Sequence, residues 1–235
     1  MKILFIGDSI TRGELGVSFV ELIAKSQPSL QITILGENGE TLNVICNRLF
    51  NHLKFEQDYD CIIFQSGYND ILLPSFLEKG KLFKWAYQQQ IKNGLIPLPN
   101  PCEFLVFLKK NIRSIKQLFK GRIVLLTIGC VGENLNSELN SLRNRINEAI
   151  RKVALDEEII LADIQKEFDD VLAKEVQSNY CLGNFWAVTL WDKFKKDFKK
   201  LSGRRGLFLT IDGVHLNNAG AAIFTDCILN ELDIQ

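Results

Sequence analysis

The sequence predicts an α/β fold of three layers, with a mostly parallel, five-stranded sheet between helices. Short apolar runs alternate along the 235 residues with longer stretches of helical periodicity. The runs are rich in Ile, Leu, Val and Phe and lack strict polar alternation, as in strands covered on both faces. No internal repeat or low-complexity linker interrupts this order, so one domain is expected over 1–235.

The expected strands are residues 2–6, 31–35, 61–65, 123–127 and 159–162. The expected helices are residues 15–26, 41–53, 102–119 and 137–155, with a last helix over 218–232. Strand, helix and strand in this sequence require right-handed crossovers and parallel neighbours. Two stretches break the alternation and read as inserted segments. Residues 71–101 carry Phe76, Phe83, Trp85 and Tyr87, then Pro97, Pro99 and Pro101, which should hold that end extended. Residues 177–208 carry Tyr180, Phe185, Trp186, Trp191, Phe194 and Phe198, and long connections of this kind often act as lids or binding loops.

Composition excludes several function classes. Lys plus Arg equals Asp plus Glu at 28 each, without the basic excess of a nucleic-acid binder. The cysteines Cys46, Cys61, Cys102, Cys130, Cys181 and Cys227 are scattered without a C-x-x-C pair, which argues against a zinc or redox motif and for free thiols. The first apolar run stops at Asp8, too short for a signal peptide, and no run is long enough to span a membrane, so a cytoplasmic location is expected.

Acyl transfer at a serine needs a base for the hydroxyl proton, a group to orient that base, and donors for the oxyanion. Ser9 follows the first strand in Gly7-Asp8-Ser9-Ile10, at the carboxyl edge where open α/β sheets bind ligands. Gly-Asp-Ser is also an ordinary turn or helix cap. There is no G-x-S-x-G elbow. Of the two histidines, His52 sits on an expected helix end with no acidic residue placed to orient it. His215 closes Asp212-Gly213-Val214-His215, where an aspartate three positions upstream can fold back onto Nδ1 and leave Nε2 for a serine. Oxyanion donors could come from the turn Gly36-Glu37-Asn38-Gly39-Glu40-Thr41 after the second strand. Asn69 in Gly67-Tyr68-Asn69-Asp70, after the third, could supply another. In a flavodoxin-like strand order, 2-1-3-4-5, the first strand lies between the second and third, and Ser9 is flanked by both turns.

Together these blocks resemble the SGNH (GDSL-type) hydrolase family: Gly-Asp-Ser near the start, a glycine after strand two, Gly-x-Asn-Asp after strand three and Asp-x-x-His near the end. The resemblance runs from Ile3 to about Ala222, with Ile10 where the family usually has leucine. It implies Ser9 as nucleophile and first oxyanion donor, Gly39 and Asn69 as the other donors, His215 as base and Asp212 as its partner. Gly39 is preferred to Gly36 because Gly39-Glu40-Thr41 resembles the family's Gly-Asp/Glu-Thr pattern. The family usually needs no metal or organic cofactor, and none is expected.

The expected activity is hydrolysis of a carboxylic ester, acyl or acetyl, through an acyl-serine intermediate. Alternatives within the family are a carbohydrate O-deacetylase and a thioesterase or lysophospholipase. Outside it, the alternative is a flavodoxin-like binding domain that holds a phosphate on its strand-end loops, although no G-x-G-x-x-G or P-loop is present. Residues 186–201 combine Leu190, Trp191, Phe194 and Phe198 with five lysines, an amphipathic pattern. Its ordinary reading is a helix packed on the domain, and its sharper one is a weak membrane-surface contact.

Overall fold

The computed structural model describes residues 1–183 and 198–233. Its strands are β1 (Lys2–Gly7), β2 (Gln31–Gly36), β3 (Cys61–Phe64), β4 (Arg122–Leu126) and β5 (Ile160–Ala162). The helices are α1 (Ser9–Arg12), α2 (Phe19–Ser26), α3 (Leu42–Leu53), α4 (Tyr68–Ser75), α5 (Lys81–Lys92), α6 (Pro101–Leu118), α7 (Glu138–Asp156), α8 (Ile164–Leu172), α9 (Phe198–Arg205) and α10 (Asn218–Glu231). The sheet runs β2-β1-β3-β4-β5 with every neighbouring pair parallel. Helices α2, α8 and α10 pack together against the sheet, and α3, α6 and α7 form the other layer.

The strand runs are legible because the central strands are buried. Ile3, Leu4, Phe5 and Ile6 of β1 are fully inaccessible, and the register pairs Ile6 with Leu35 on one side and Phe64 on the other. β2 departs from the expectation of a strand covered on both faces. It is an edge strand, and Ile34 is 44% exposed.

Other boundaries moved for identifiable reasons. The helix expected from residue 15 starts at Phe19, because Ser18 caps it by accepting a hydrogen bond from the Glu21 N–H at 3.2 Å. The short α1 and the whole of α8 were not anticipated. α8 is capped by Asp163 and packs against α10. Residues 71–101 are substantially helical, with most of α4 and all of α5. Pro101 is not part of an extended spacer. It opens α6, where its fixed φ suits the first turn, and Asn100 accepts from the N–H groups of Cys102 and Glu103. Among the described residues, the apolar run at 207–211 joins no strand of the sheet, and Thr210 forms an isolated antiparallel bridge with Leu216. In the second inserted segment, residues 198–205 form α9, while Phe185, Trp186, Trp191 and Phe194 lie outside the described residues.

Candidate active site

β1 delivers Ser9 to the carboxyl edge of the sheet. Asp8 ends the extended chain and caps α1, accepting from the Ile10 N–H at 3.0 Å. Gln65, just beyond β3, clasps Asp8 from the neighbouring strand. Its Nε2 donates to the Asp8 carboxylate at 3.0 Å, and its Oε1 accepts from the Asp8 N–H and the Thr11 hydroxyl. Burial pushes the Asp8 carboxyl up to about 6, against the opposing hydrogen bond from Gln65. Ser9 starts the helix, where its own N–H faces no intrahelical carbonyl.

His215 arrives from the other end of the chain. Its Nε2 lies 3.1 Å from Ser9 Oγ, and its Nδ1 lies 2.7 Å from Asp212 Oδ2. The other Asp212 oxygen accepts from the N–H groups of Val214 at 2.9 Å and His215 at 2.8 Å. Burial pushes the Asp212 carboxyl up, but the charge of His215 and these hydrogen bonds outweigh it and hold the group below its ordinary value. With Nδ1–H donating to a carboxylate, neutral imidazole has its Nε2 lone pair on the Ser9 side. Between the two residues, Gly213 takes φ +91° and passes so close to residue 180 that a Cβ would come within 2.8 Å of the Tyr180 carbonyl oxygen.

Glu133 holds this loop in place. Its Oε1 accepts from the Leu209 N–H, the Thr210 N–H and the Thr210 hydroxyl at 2.9, 2.7 and 2.6 Å, and its Oε2 accepts from the Phe208 N–H at 2.6 Å. Thr210 Oγ1 in turn accepts from the Gly213 N–H at 3.0 Å. Sequence reasoning missed Glu133, which lies about 80 positions from the residues it supports and belongs to no motif. It is 1% exposed, and its carboxylate is satisfied by those four donors.

The turns that follow β2 and β3 meet beside Ser9. Asn69 Nδ2 donates to the Glu40 carbonyl at 2.9 Å, which uses one of its two N–H bonds. The Glu40 carboxylate pairs with Arg48 of α3, whose guanidinium also donates to the main-chain oxygens of Leu35 and Gly7. Arg48, also missed, thereby ties the ends of β1 and β2 to the turn between β2 and α3. The two glycines of that turn are not equivalent. A Cβ on Gly36 would lie 2.3 Å from the Arg12 nitrogen, whereas Gly39, at φ +79°, faces the open cleft. Asp70 accepts from the N–H groups of Leu42 at 3.0 Å and Leu98 at 2.9 Å. It thus secures the start of α3 and the proline-rich segment together.

Ser9, Gly39, Asn69 and His215 line one cleft of about 440 Å³. His52 is remote from it. It lies in the last turn of α3, with Nε2 2.9 Å from the Tyr59 hydroxyl, near the opposite sheet edge where β1 and β3 begin. An acidic neighbour is present after all, since Glu56 approaches His52 to 3.8 Å, but no serine is paired with it among its described contacts.

Residues 5–223 match the GDSL-like Lipase/Acylhydrolase family. This chain belongs to that family. The hydrolase is therefore a carboxylic ester hydrolase, and the non-enzymatic binding-domain alternative falls away. Among solved structures it resembles acetylxylan esterase Axe2 from Geobacillus stearothermophilus, at 19% identity and a TM-score of 0.64 over 100% of this chain and 94% of that one. It also resembles LAE5, an alpha/beta hydrolase enzyme from the metagenome of Lake Arreo, Spain, at 19% identity and a TM-score of 0.67 over 99% and 94%. The acetyl xylan esterase AlAXEase aligns at 19% identity and a TM-score of 0.66, over 98% of each chain. At that identity the likeness establishes the shared fold. No curated protein matches the chain significantly. No helix among the described residues is long and apolar enough to cross a membrane.

Proposed function

We propose that the hydrolase cleaves esters through an acyl-serine intermediate, with Ser9 as nucleophile, His215 as general base and Asp212 as its orienting partner. The observation that carries this reading is the continuous contact from Ser9 Oγ to His215 Nε2 at 3.1 Å and from His215 Nδ1 to Asp212 at 2.7 Å. As Oγ bonds to the ester carbonyl carbon, its proton passes to Nε2. The carbonyl oxygen takes the negative charge and faces the N–H groups of Ser9 and Gly39 and the second Nδ2 hydrogen of Asn69. Collapse expels the alcohol, which takes its proton from His215. Water then repeats the sequence on the acyl-serine and releases the acid.

Support also comes from Axe2, whose variants described as catalytic mutants replace a serine, an aspartate and a histidine. Axe2 and AlAXEase are described as acetylxylan esterases, which favours a sugar O-deacetylase as the second reading. A fluorophosphonate probe followed by peptide mass spectrometry tests the mechanism. Stoichiometric labelling on Ser9, lost in Ser9→Ala, is expected. Labelling elsewhere, or hydrolysis that survives in Ser9→Ala, would overturn it.

A further inference from the structure

We propose that Arg48 is a positioning residue for the oxyanion donors, acting through Glu40 to hold the Gly39 N–H and the Asn69 amide where negative charge develops. This rests on the oxyanion reading above and adds a residue outside the lining of the cleft. Gly39 and Asn69 come from outside the helix that bears Ser9, so both must be fastened relative to it. Residue 40 links them. Its carbonyl accepts from Asn69 Nδ2 at 2.9 Å and leaves the second Nδ2 hydrogen for the cleft, and its main chain continues directly from Gly39. A displacement of residue 40 therefore carries both donors with it.

Packing does not lock the turn. Gly39 takes φ +79°, and a Cβ there would meet the Gln90 side-chain nitrogen at 3.7 Å, an ordinary contact on the open side. Two other ties of the turn, Arg12 with Glu37 and Asn38 with Glu14, lie on the exposed surface, where solvent weakens them. Arg48 is the inner tie, with its side chain 21% exposed and that of Glu40 15%. Arg48 Nε donates to Glu40 Oε2 at 3.1 Å, and Nη2 pairs with the same oxygen. Nη2 also donates to the Gly7 carbonyl at 3.0 Å, and Nη1 donates to the Leu35 carbonyl. Gly7 ends the strand that presents Ser9, and Leu35 lies next to the end of β2. One planar fork thus fixes residue 40 to two strand ends rather than to the turn's own backbone. A lysine would keep the charge but bring a single nitrogen to a place where three nitrogens meet three separate acceptors. The ordinary alternative is an ion pair that stabilises the fold and leaves turnover alone.

The test is a double-mutant cycle of Arg48→Met and Asn69→Ala in the full chain, read as hydrolysis of nitrophenyl acetate. Misplacement of the donors by about 1 Å should lower kcat by about 10- to 100-fold in Arg48→Met, with KM changed by less than about threefold. Arg48→Lys should fall between that variant and wild type. In the Asn69→Ala background, Arg48→Met should cost only about threefold more, because one of the donors that it positions is already gone. Melting curves check folding. If Arg48→Met does not fold, Glu40→Ala replaces it in the cycle with the same expectations, since it removes the carboxylate and keeps the carbonyl that meets Asn69. Single losses that multiply in the double variant would overturn the positioning role, as would wild-type kcat in the folded Arg48 or Glu40 variant beside an impaired Asn69→Ala. Wild-type kcat in Asn69→Ala would instead remove the oxyanion reading, and the role of Arg48 with it.

Discussion

Ser9 hangs from the end of a central strand, whereas Asp212 and His215 sit on a loop that belongs to no strand of the sheet. On the first side, position follows from the sheet. β1, β2 and β3 are in register, so the residues that leave them emerge side by side, and side-chain contacts such as Asn69 to the Glu40 carbonyl and Arg48 to the Gly7 carbonyl then fasten the turns beside Ser9. On the second side, no ladder fixes the chain. Buried hydrogen bonds do it instead, donated by the N–H groups of residues 208–210 to Glu133, by that of Gly213 to Thr210 Oγ1 and by those of Val214 and His215 to Asp212. A site built on a buried carboxylate fails when one acceptor is lost, because the unsatisfied group costs about 1–3 kcal/mol.

The largest expected effects fall on the contact where the two sides meet. Ser9→Ala and His215→Ala should each lower kcat by at least about 10⁴-fold with unchanged melting curves. Wild-type turnover in either variant would detach that residue from the chemistry. Next comes Asn69, on the strand-end side. Asn69→Ala should lower kcat by about 10²–10³-fold and leave KM nearly constant, since the oxyanion exists only in the transition state. Asn69→Asp should be at least as damaging, because an ionised carboxylate cannot donate. A normal kcat in Asn69→Asp would reduce Asn69 to a turn residue.

Glu133→Gln probes the loop side. It keeps the oxygen that meets Leu209 and Thr210 but turns an NH₂ toward the Phe208 N–H. A loss of about 2 kcal/mol in stability is expected from that clash of donors. A drop in kcat of about tenfold should accompany it as His215 loses its fixed position. If stability falls and kcat does not, the loop is held by its other hydrogen bonds and the contrast between the two sides is weaker than drawn.

Proton uptake separates the sides in another way. Burial pushes Asp8 up to about 6 and Asp70 up to about 7, both above the ordinary 3.8. The stability that each contributes by binding its proton in the folded state is fully present below about 3.8. It is lost as pH rises through about 6 and about 7. Asp212 is held below 3.8, so it stays ionised across this window, and its contribution is lost only at lower pH. A histidine base, in contrast, must be neutral to accept the serine proton, so turnover is lost as acid protonates it. Between pH 7.5 and 5, activity should therefore fall while the melting temperature holds or rises. Parallel loss of both would show that acid unfolding, not protonation of the base, ends turnover. The smallest effect is expected from His52→Ala, which removes a contact to Tyr59 far from Ser9 and should leave kcat unchanged.

Much of the site was legible because its residues sit in short local patterns. Gly7-Asp8-Ser9 and Gly67-Tyr68-Asn69-Asp70 each follow an apolar run, and Asp212 and His215 lie close enough in sequence to meet on one turn. Helices α3, α6, α7 and α10 were within a residue or two of expectation, since the apolar periodicity of α3, α6 and α7 is strong and the four helices follow Thr41, Asn100, Ser137 and Asn217. α8 was not, although its apolar face is clear once seen. It follows the short β5 directly, and the pattern there passes from strand to helix without a turn.

What the sequence by itself determined is the alternation of buried strands with helices, and the short motifs that follow the first three strands. These depend on periodicity and on short spacings, which act between near neighbours in the chain. What only the tertiary structure decided is how the far residues lock that site. Examples are Gln65 on Asp8, Arg48 across two strand ends and Glu133 beneath the Asp212 loop. Each of these is a buried polar contact or a close approach between segments that the chain order keeps apart. No local pattern marks them, because a polar side chain reveals its partner only after burial has removed water as the alternative.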